Sequence, residues 1–386
     1  MDLLRVLAML MIVFNHLVYH GVQHVPAASA GATSQMSVHA VQANFLVLQF
    51  LAYSSLVATN IFFLITGYFL VKPREISYAV GKSFKLWRVI VFYSLTIYTG
   101  LCALGFLDFS WPQAIGQLMP IYSGNYWFMS DYLVVLLLSP FVARALDALA
   151  QREYLWLLLL LLVINFAQGE WGYGNIFGGD MSLVFALSLF CLGGYLHKFG
   201  MPEYRFARWG YLAVYIGTCL LLTGFSYLRQ VHAFAAEGQP MLLGSLGRNS
   251  LPLLCSVCLF LLFSTRRFNI PKGISRLCVT VSPYVLAVYL IHDNGFFRNI
   301  LWDCIVRPQD YLCSYWLIPY CLFAVVAIFA SCVGIEYIRQ RLAALFRRTS
   351  PAACPMHLSP PALGARCVWG YRLSSSSSHT LLYIRA

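Results

Sequence analysis

Leu3-Leu4-Arg5-Val6-Leu7-Ala8-Met9-Leu10-Met11-Ile12-Val13-Phe14-Asn15-His16-Leu17-Val18-Tyr19 opens the chain almost without polar interruption. An apolar run of this length is long enough to cross a bilayer as a helix. Two ionisable residues sit inside it, Arg5 and His16. A helix advances about 1.5 Å per residue, so these two lie roughly 16 Å apart along one axis, on opposite halves of the hydrocarbon layer. Ionisable groups in that medium are costly and normally face a polar cavity or passage, which makes both residues functional candidates.

The rest of the chain repeats the pattern. Of 386 residues, 60% are hydrophobic and only 10% charged, and the mean hydropathy is +0.71, a composition that excludes an ordinary soluble domain. Apolar stretches recur near 3–19, 45–71, 89–107, 126–143, 154–168, 181–196, 209–228, 249–264, 277–297 and 313–335. The expectation is an all-α, polytopic membrane protein of about ten transmembrane helices, with the fifth, sixth and eighth stretches shorter than a usual span. A cleaved signal peptide is not expected, because the basic n-region would be the single Arg5 and no small-residue cleavage site follows at the right distance.

Threading ten spans with both termini in the cytoplasm assigns all but Arg229, Arg248, Arg298 and Arg307 of the 26 Lys and Arg to internal segments. That asymmetry is the positive-inside signature, and it explains the net charge of +12 as topology. No basic nucleic-acid motif remains over, so no nucleic-acid partner is expected. The expected location is a cell (cytoplasmic) membrane, multi-pass, with membrane lipids as surroundings. The cysteines lie mostly in apolar spans as small hydrophobes. Cys255 and Cys258 form a C-x-x-C with no second pair or ligating His nearby, and His16 and His20 share one face without a sequence-adjacent carboxylate, so no metal is expected.

The loops carry their own signals. Val22 to Asn44, the first external loop, lacks Lys, Arg, Asp and Glu, while Gln168 to Asp180 packs five glycines around Trp171 and Tyr173. Beyond Arg348 the composition turns to Pro, Cys and Ser, so residues 1–348 form the expected membrane domain and 349–386 a disordered cytoplasmic tail.

The titratable residues then fall into two levels. The fourth span brings Asp131, and the ninth His292 and Asp293, to the depth of His16 near the outer surface. An imidazole beside a carboxylate is a workable general base. On the inner side Lys85 and Arg88 stand before the third apolar stretch, where a helix N-terminus would disfavour cations unless an anion bound there.

These residues resemble the acyltransferase-3 family of integral membrane O-acyltransferases. The resemblance rests on Arg5-x10-His16 within Asp2 to Met9, on Phe62-Phe63-Leu64-Ile65-Thr66-Gly67-Tyr68 with Thr for Ser, on Tyr126-Trp127-Phe128 followed by Leu138-Ser139-Pro140, and on Val288-Tyr289-Leu290-Ile291-His292. The family's two-arginine motif before the third span is here Lys85-x-x-Arg88, which keeps the charge but loses one bidentate fork.

The resemblance implies transfer of an acyl group, commonly acetyl, from cytoplasmic acyl-CoA (acetyl-CoA) to a hydroxyl of a cell-surface or lipid-linked glycan. Arg5, Lys85 and Arg88 would hold the donor's phosphates. His16 would act as general base or acyl relay, with Asp131 orienting it and His292 nearby. Tyr126, Trp127 and Trp171 would stack on sugar rings at the outer mouth. The competing reading is a secondary transporter or lipid-linked glycan flippase, which broken helices or inverted repeats in matching halves would favour; the sequence displays neither.

Overall fold

In a computed structural model, residues 1–22, 35–119, 125–171, 183–201, 207–233, 250–264 and 270–349 are described, and they form helices and short turns with no strand among them. The expected all-α architecture is therefore the observed one. The thirteen α-helices of the described residues are α1 (Asp2–His16), α2 (Gln35–Ser55), α3 (Ala58–Leu70), α4 (Ile76–Ala103), α5 (Trp111–Gly116), α6 (Trp127–Ala148), α7 (Gln151–Trp171), α8 (Leu183–Phe199), α9 (Ala207–Ala233), α10 (Ser250–Ser264), α11 (Lys272–Val281), α12 (Val285–His292) and α13 (Leu317–Thr349).

Each of the ten apolar stretches read from the sequence overlaps helix among the described residues, although 104–107, 293–297 and 313–316 are turns or bends. Seven helical segments are long and apolar enough to cross a membrane: Asp2–Val22, Ala40–Leu70, Ile76–Ala103, Trp127–Ala148, Ala207–Leu228, Lys272–His292 and Leu317–Leu345. The apolar helices Leu183–Phe199 and Leu251–Ser264 are shorter, in line with the short sixth and eighth stretches. At about 1.5 Å per residue they reach less than the ~30 Å hydrocarbon thickness.

Several boundaries move from those expected. α4 begins at Ile76, thirteen residues before its apolar stretch, because the polar first turns containing Ser77, Lys82 and Ser83 continue the same helix. The expected external loop Val22 to Asn44 is already helical from Gln35 onward, and Asn44 uses its side-chain amide to bind the Leu312 and Ser314 carbonyls at 3.0 and 2.8 Å. Two helices expected to be continuous are broken, one between Ser55 and Ala58, the other by the tight turn Ser282–Tyr284 that carries Pro283. Pro283 has no N–H for the helical ladder, so an interruption there follows from its chemistry. Residues 172–180 of the glycine-rich connection and 350–386 of the tail lie outside the described residues.

The surface is that of a lipid-solvated protein. Trp156, Leu160, Leu220, Phe323, Val326 and Ile338 are exposed, whereas Asn60, Ser94, Ser256 and Glu336 are buried. Where lipid replaces water, apolar burial no longer drives helix association, and small residues and buried hydrogen bonds take over. Both devices are present. A Cβ on Gly67 of α3 would meet the Phe190 carbonyl oxygen at 2.0 Å, and one on Gly193 of α8 would meet the Leu64 carbonyl oxygen at 2.2 Å, so these two backbones touch only because both positions are glycine. Asn60 of α3 donates to Ser256 of α10 at 3.0 Å, and Tyr154 of α7 to the Cys191 carbonyl of α8 at 2.7 Å.

α1 is the central post. It packs against α2, α3, α11, α12 and α13, and buries Leu4, Ala8, Met9, Ile12, Val13 and Phe14. After His16 it continues as a π-helical turn, Leu17–Val22. Gly21 in that turn lies against Pro308, where a Cβ would come within 2.7 Å of the proline ring. Single π-helical turns often mark functional positions, and this one carries His20 beside His16.

Candidate active site

The end of α1 meets the end of α12 and the turn that follows it. His16 presents Nδ1 to Nε2 of His292 at 3.0 Å, and the same Nδ1 lies 3.4 Å from Oδ1 of Asp293. His20 Nε2 is 4.0 Å and Arg298 Nη1 3.5 Å from that carboxylate oxygen. His292 and Asn294 are fully buried, Asp293 nearly so, while the His16 and His20 side chains each keep 15% of their surface exposed.

The hydrogen-bond pattern sets the tautomers. His292 Nδ1 lies 2.6 Å from the Val288 carbonyl, which can only accept, so Nδ1 carries the proton. In the neutral ring Nε2 then holds the lone pair and must accept from His16 Nδ1. It follows that the lone pair of His16 sits on Nε2, the nitrogen facing away from His292. The π-helical turn, the α12 carbonyl and the buried second imidazole together orient one basic nitrogen.

A second network fixes the turn. The Asn294 amide donates to the Tyr126 hydroxyl at 2.7 Å, which donates to the Leu290 carbonyl at 2.8 Å, and Asn294 Oδ1 accepts from the backbone N–H of Phe296 and Phe297. Tyr126 thereby ties the start of α6 to the segment holding His292 and Asp293. The rings of Tyr126 and Phe128 stand 5.9 and 5.6 Å from Tyr289, and Tyr289 stands 6.4 Å from His16, forming an aromatic wall behind the histidines.

Several residues singled out from the sequence occupy other places than expected. Asp131 does not reach His16; among the described residues it makes no hydrogen bond or ion pair, and the carboxylate beside the imidazole is Asp293, on the same turn as His292. Tyr126 is completely buried with its hydroxyl engaged twice, so it is a strut and not an open stacking surface. Trp127 is partly exposed and packs on Phe128 at 5.9 Å, and the Trp171 side chain lies outside what is described.

At the other end of α1, Arg5 donates to Asp2 at 2.9 Å, Ser282 donates to the same carboxylate oxygen at 3.1 Å, and the guanidinium lies 5.8 Å over the Phe69 ring. Lys85 and Arg88 are exposed, with Arg88 5.5 Å over Phe84. Because α4 starts at Ile76, they stand beyond its first two turns, where the backbone N–H groups are already paired. The helix terminus therefore does not favour a phosphate there, since its field fades within the first turn. Among the described residues no hydrogen bond, ion pair or ring contact joins Lys85 or Arg88 to Arg5.

Sequence reasoning did not foresee the buried cluster between α4 and α13. Glu336 accepts from the Tyr93 hydroxyl, from Arg339 Nε and Nη2 at 2.6 and 2.7 Å, and from Gln340 at 2.8 Å. The available signal was a Glu followed at three and four positions by Arg and Gln on one helix face, just past the assumed end of the last span. Among the described residues no group of three or more His, Cys, Asp or Glu is arranged to hold a metal ion.

Fold and site together define a helical membrane protein with a buried imidazole–carboxylate centre held by its first helix. The acyltransferase-3 family model, an acyltransferase domain, matches residues 1–337, and the chain belongs to that family. It is a membrane acyltransferase. Comparison with curated proteins and with solved structures gave no match.

Proposed function

We propose that the protein is an O-acyltransferase that moves an acyl group, in the first instance acetyl, from acyl-CoA at the Arg5 end of α1 to a hydroxyl of a cell-surface glycan at the His16 end. The observation that carries this reading is the pairing of His16 with His292 and Asp293, which leaves one oriented basic nitrogen at a partly open position. The distribution of Lys and Arg supports a cytoplasmic Arg5 end and a cytoplasmic C-terminus.

His16 Nε2 accepts the proton of the acceptor hydroxyl as its oxygen attacks the thioester carbonyl. The imidazolium so formed is steadied through Nδ1 by His292 Nε2 and the Asp293 carboxylate. Collapse of the tetrahedral intermediate breaks the C–S bond, and the departing thiolate takes the proton back from His16. A variant path carries the acyl group on His16 itself before the hydroxyl attacks. Arg5, Lys85 and Arg88 supply positive charge for the donor's phosphates. The roughly 16 Å between Arg5 and His16 suits a donor whose charged head and reactive thioester are separated by a long flexible arm.

Reconstituted protein should release free CoA from acetyl-CoA only when an acceptor glycan is present, and His16→Ala should abolish this while inserting normally. Unchanged surface-glycan acetylation in cells carrying His16→Ala removes His16 from the mechanism. The interruptions at Leu56–Val57 and Ser282–Tyr284 are features the transporter reading would use, since discontinuous helices often line transport sites. Acceptor or proton movement without thioester loss would decide for that reading.

A further inference from the structure

The proton relay leaves Arg298 without a task. Its backbone N–H donates to the Asn294 carbonyl at 2.8 Å, so the network that positions His292 and Asp293 also positions this guanidinium. Its described side-chain contact is loose: Nη1 lies 3.5 Å from Asp293 Oδ1, against the ~2.7 to 2.9 Å of a tight charge-assisted bond. That contact occupies one of five N–H donors.

The opposite edge is unengaged. Arg298 Nε is buried and has no hydrogen-bond partner among the described residues, and Nη2 makes no hydrogen bond there either. The N–H bonds of Nε and Nη2 run parallel, which is the geometry that grips two oxygens of a carboxylate or phosphate. A shielded, unpaired guanidinium donor is costly, so such a group commonly marks a ligand position. The side chain as a whole is 33% exposed, so a ligand reaches the guanidinium from its open part, beside the partly open His16 and His20, and comes onto Nε only as the atoms covering it shift.

We propose that Arg298 holds an oxyanion on the acceptor, so that the preferred acceptor is an acidic glycan bearing a carboxylate or phosphate close to the hydroxyl that is acylated. This rests on the acyl-transfer reading above. Asp293 remains on the Nη1 side, its charge shared with Arg298 and the histidines, while the acceptor's anion takes the Nε/Nη2 edge. The rival occupant is the oxyanion of the tetrahedral intermediate, which would affect every acceptor alike.

The test uses full-length protein in proteoliposomes with labelled acetyl-CoA and three acceptors, methyl glucoside, methyl glucuronide and glucose 6-phosphate. Wild type is expected to favour an acidic acceptor, the glucuronide and phosphate arms showing which anion is taken. Arg298→Gln should lower the acidic-to-neutral ratio of kcat/KM roughly ten- to a hundred-fold, mainly through KM, and Arg298→Lys should fall between. An equal loss of kcat on all three acceptors, or a wild-type preference for the neutral one, overturns the proposal.

Thermal unfolding in detergent gives an activity-independent reading. Glucuronate or inorganic phosphate should raise the Tm of wild type and of Arg298→Lys more than that of Arg298→Gln. Absence of any rise in wild type with either anion sinks the anion site. Anion protection without acceptor-dependent thioester loss for any acceptor leaves that site standing and removes the acyl-transfer reading instead.

Discussion

His16 Nδ1 and His292 Nε2 lie 3.0 Å apart although 276 positions separate them in the chain, and the second ring is locked by the Val288 carbonyl. His292 therefore orients His16 without meeting the acceptor. Loss of a general base typically costs about 10²- to 10⁴-fold, so His16→Ala should fall in that range. His292→Ala should lose less, about ten- to a hundred-fold, with kcat affected more than KM. Steady-state transfer rates in proteoliposomes measure both; equal KM-only effects would mean that neither ring serves the chemical step.

The two candidate carboxylates separate cleanly. Asp293 touches His16, whereas Asp131 lies on α6 without such a contact. Asp293→Asn keeps the shape and removes the charge that steadies an imidazolium, so its kcat should drop about tenfold or more, well beyond the loss with Asp131→Asn. The reverse order in a side-by-side assay would return Asp131 to the imidazole.

Tyr126→Phe removes one oxygen and strands two partners, the Asn294 amide and the Leu290 carbonyl, in a buried place. Leaving buried polar groups unmatched costs about 1 to 3 kcal/mol. The Tm in detergent should fall, and transfer should fall with it, because the same turn aims His292 and Asp293. A variant that keeps the wild-type Tm and rate would show that the turn needs no tether.

Gly67→Ala and Gly193→Ala should both destabilise the protein, since the added methyls meet backbone carbonyl oxygens at 2.0 and 2.2 Å. Overpacking a tight contact costs about 1 to 3 kcal/mol or more. Gly100→Ala is the matched control, because nothing lies within 4 Å of its would-be Cβ. Equal Tm values for all three would refute the backbone contact between α3 and α8.

Glu336→Ala should be among the harshest single changes outside the histidine cluster. It leaves the Arg339 guanidinium, with only 21% of its side chain exposed, and the Tyr93 hydroxyl without their shared partner. Breaking a buried pair this way costs about 3 to 5 kcal/mol. Glu336→Gln, which can still hydrogen-bond, should be milder in the same unfolding measurement.

Helix positions were legible because apolar length alone decides them, and each of the ten stretches overlaps helix among the described residues. Helix ends were less so. α4 starts well before its apolar stretch because Ile76 to Arg88 interleaves Lys82, Lys85 and Arg88 with apolar, helix-compatible residues, and a hydropathy threshold cannot see a helix that continues into the interface. Lys85 and Arg88 for that reason do not stand at a helix N-terminus. The depth of His16 and His292 could be counted along each helix, but which carboxylate would meet them could not, since depth does not give azimuth.

The amino-acid sequence by itself determined the solvent of this protein, its helical class and the presence of Arg5 and His16 at opposite halves of one span, because apolar length and periodic rise are local properties. Only the tertiary structure decided that His16 meets His292 and Asp293, that Tyr126 is a buried strut, and that Glu336 pairs across α4 and α13. Those outcomes depend on how helices rotate and close upon one another. In lipid that is governed by glycine-sized clearances such as those at Gly67 and Gly193 and by a few buried hydrogen bonds, which no single segment encodes alone.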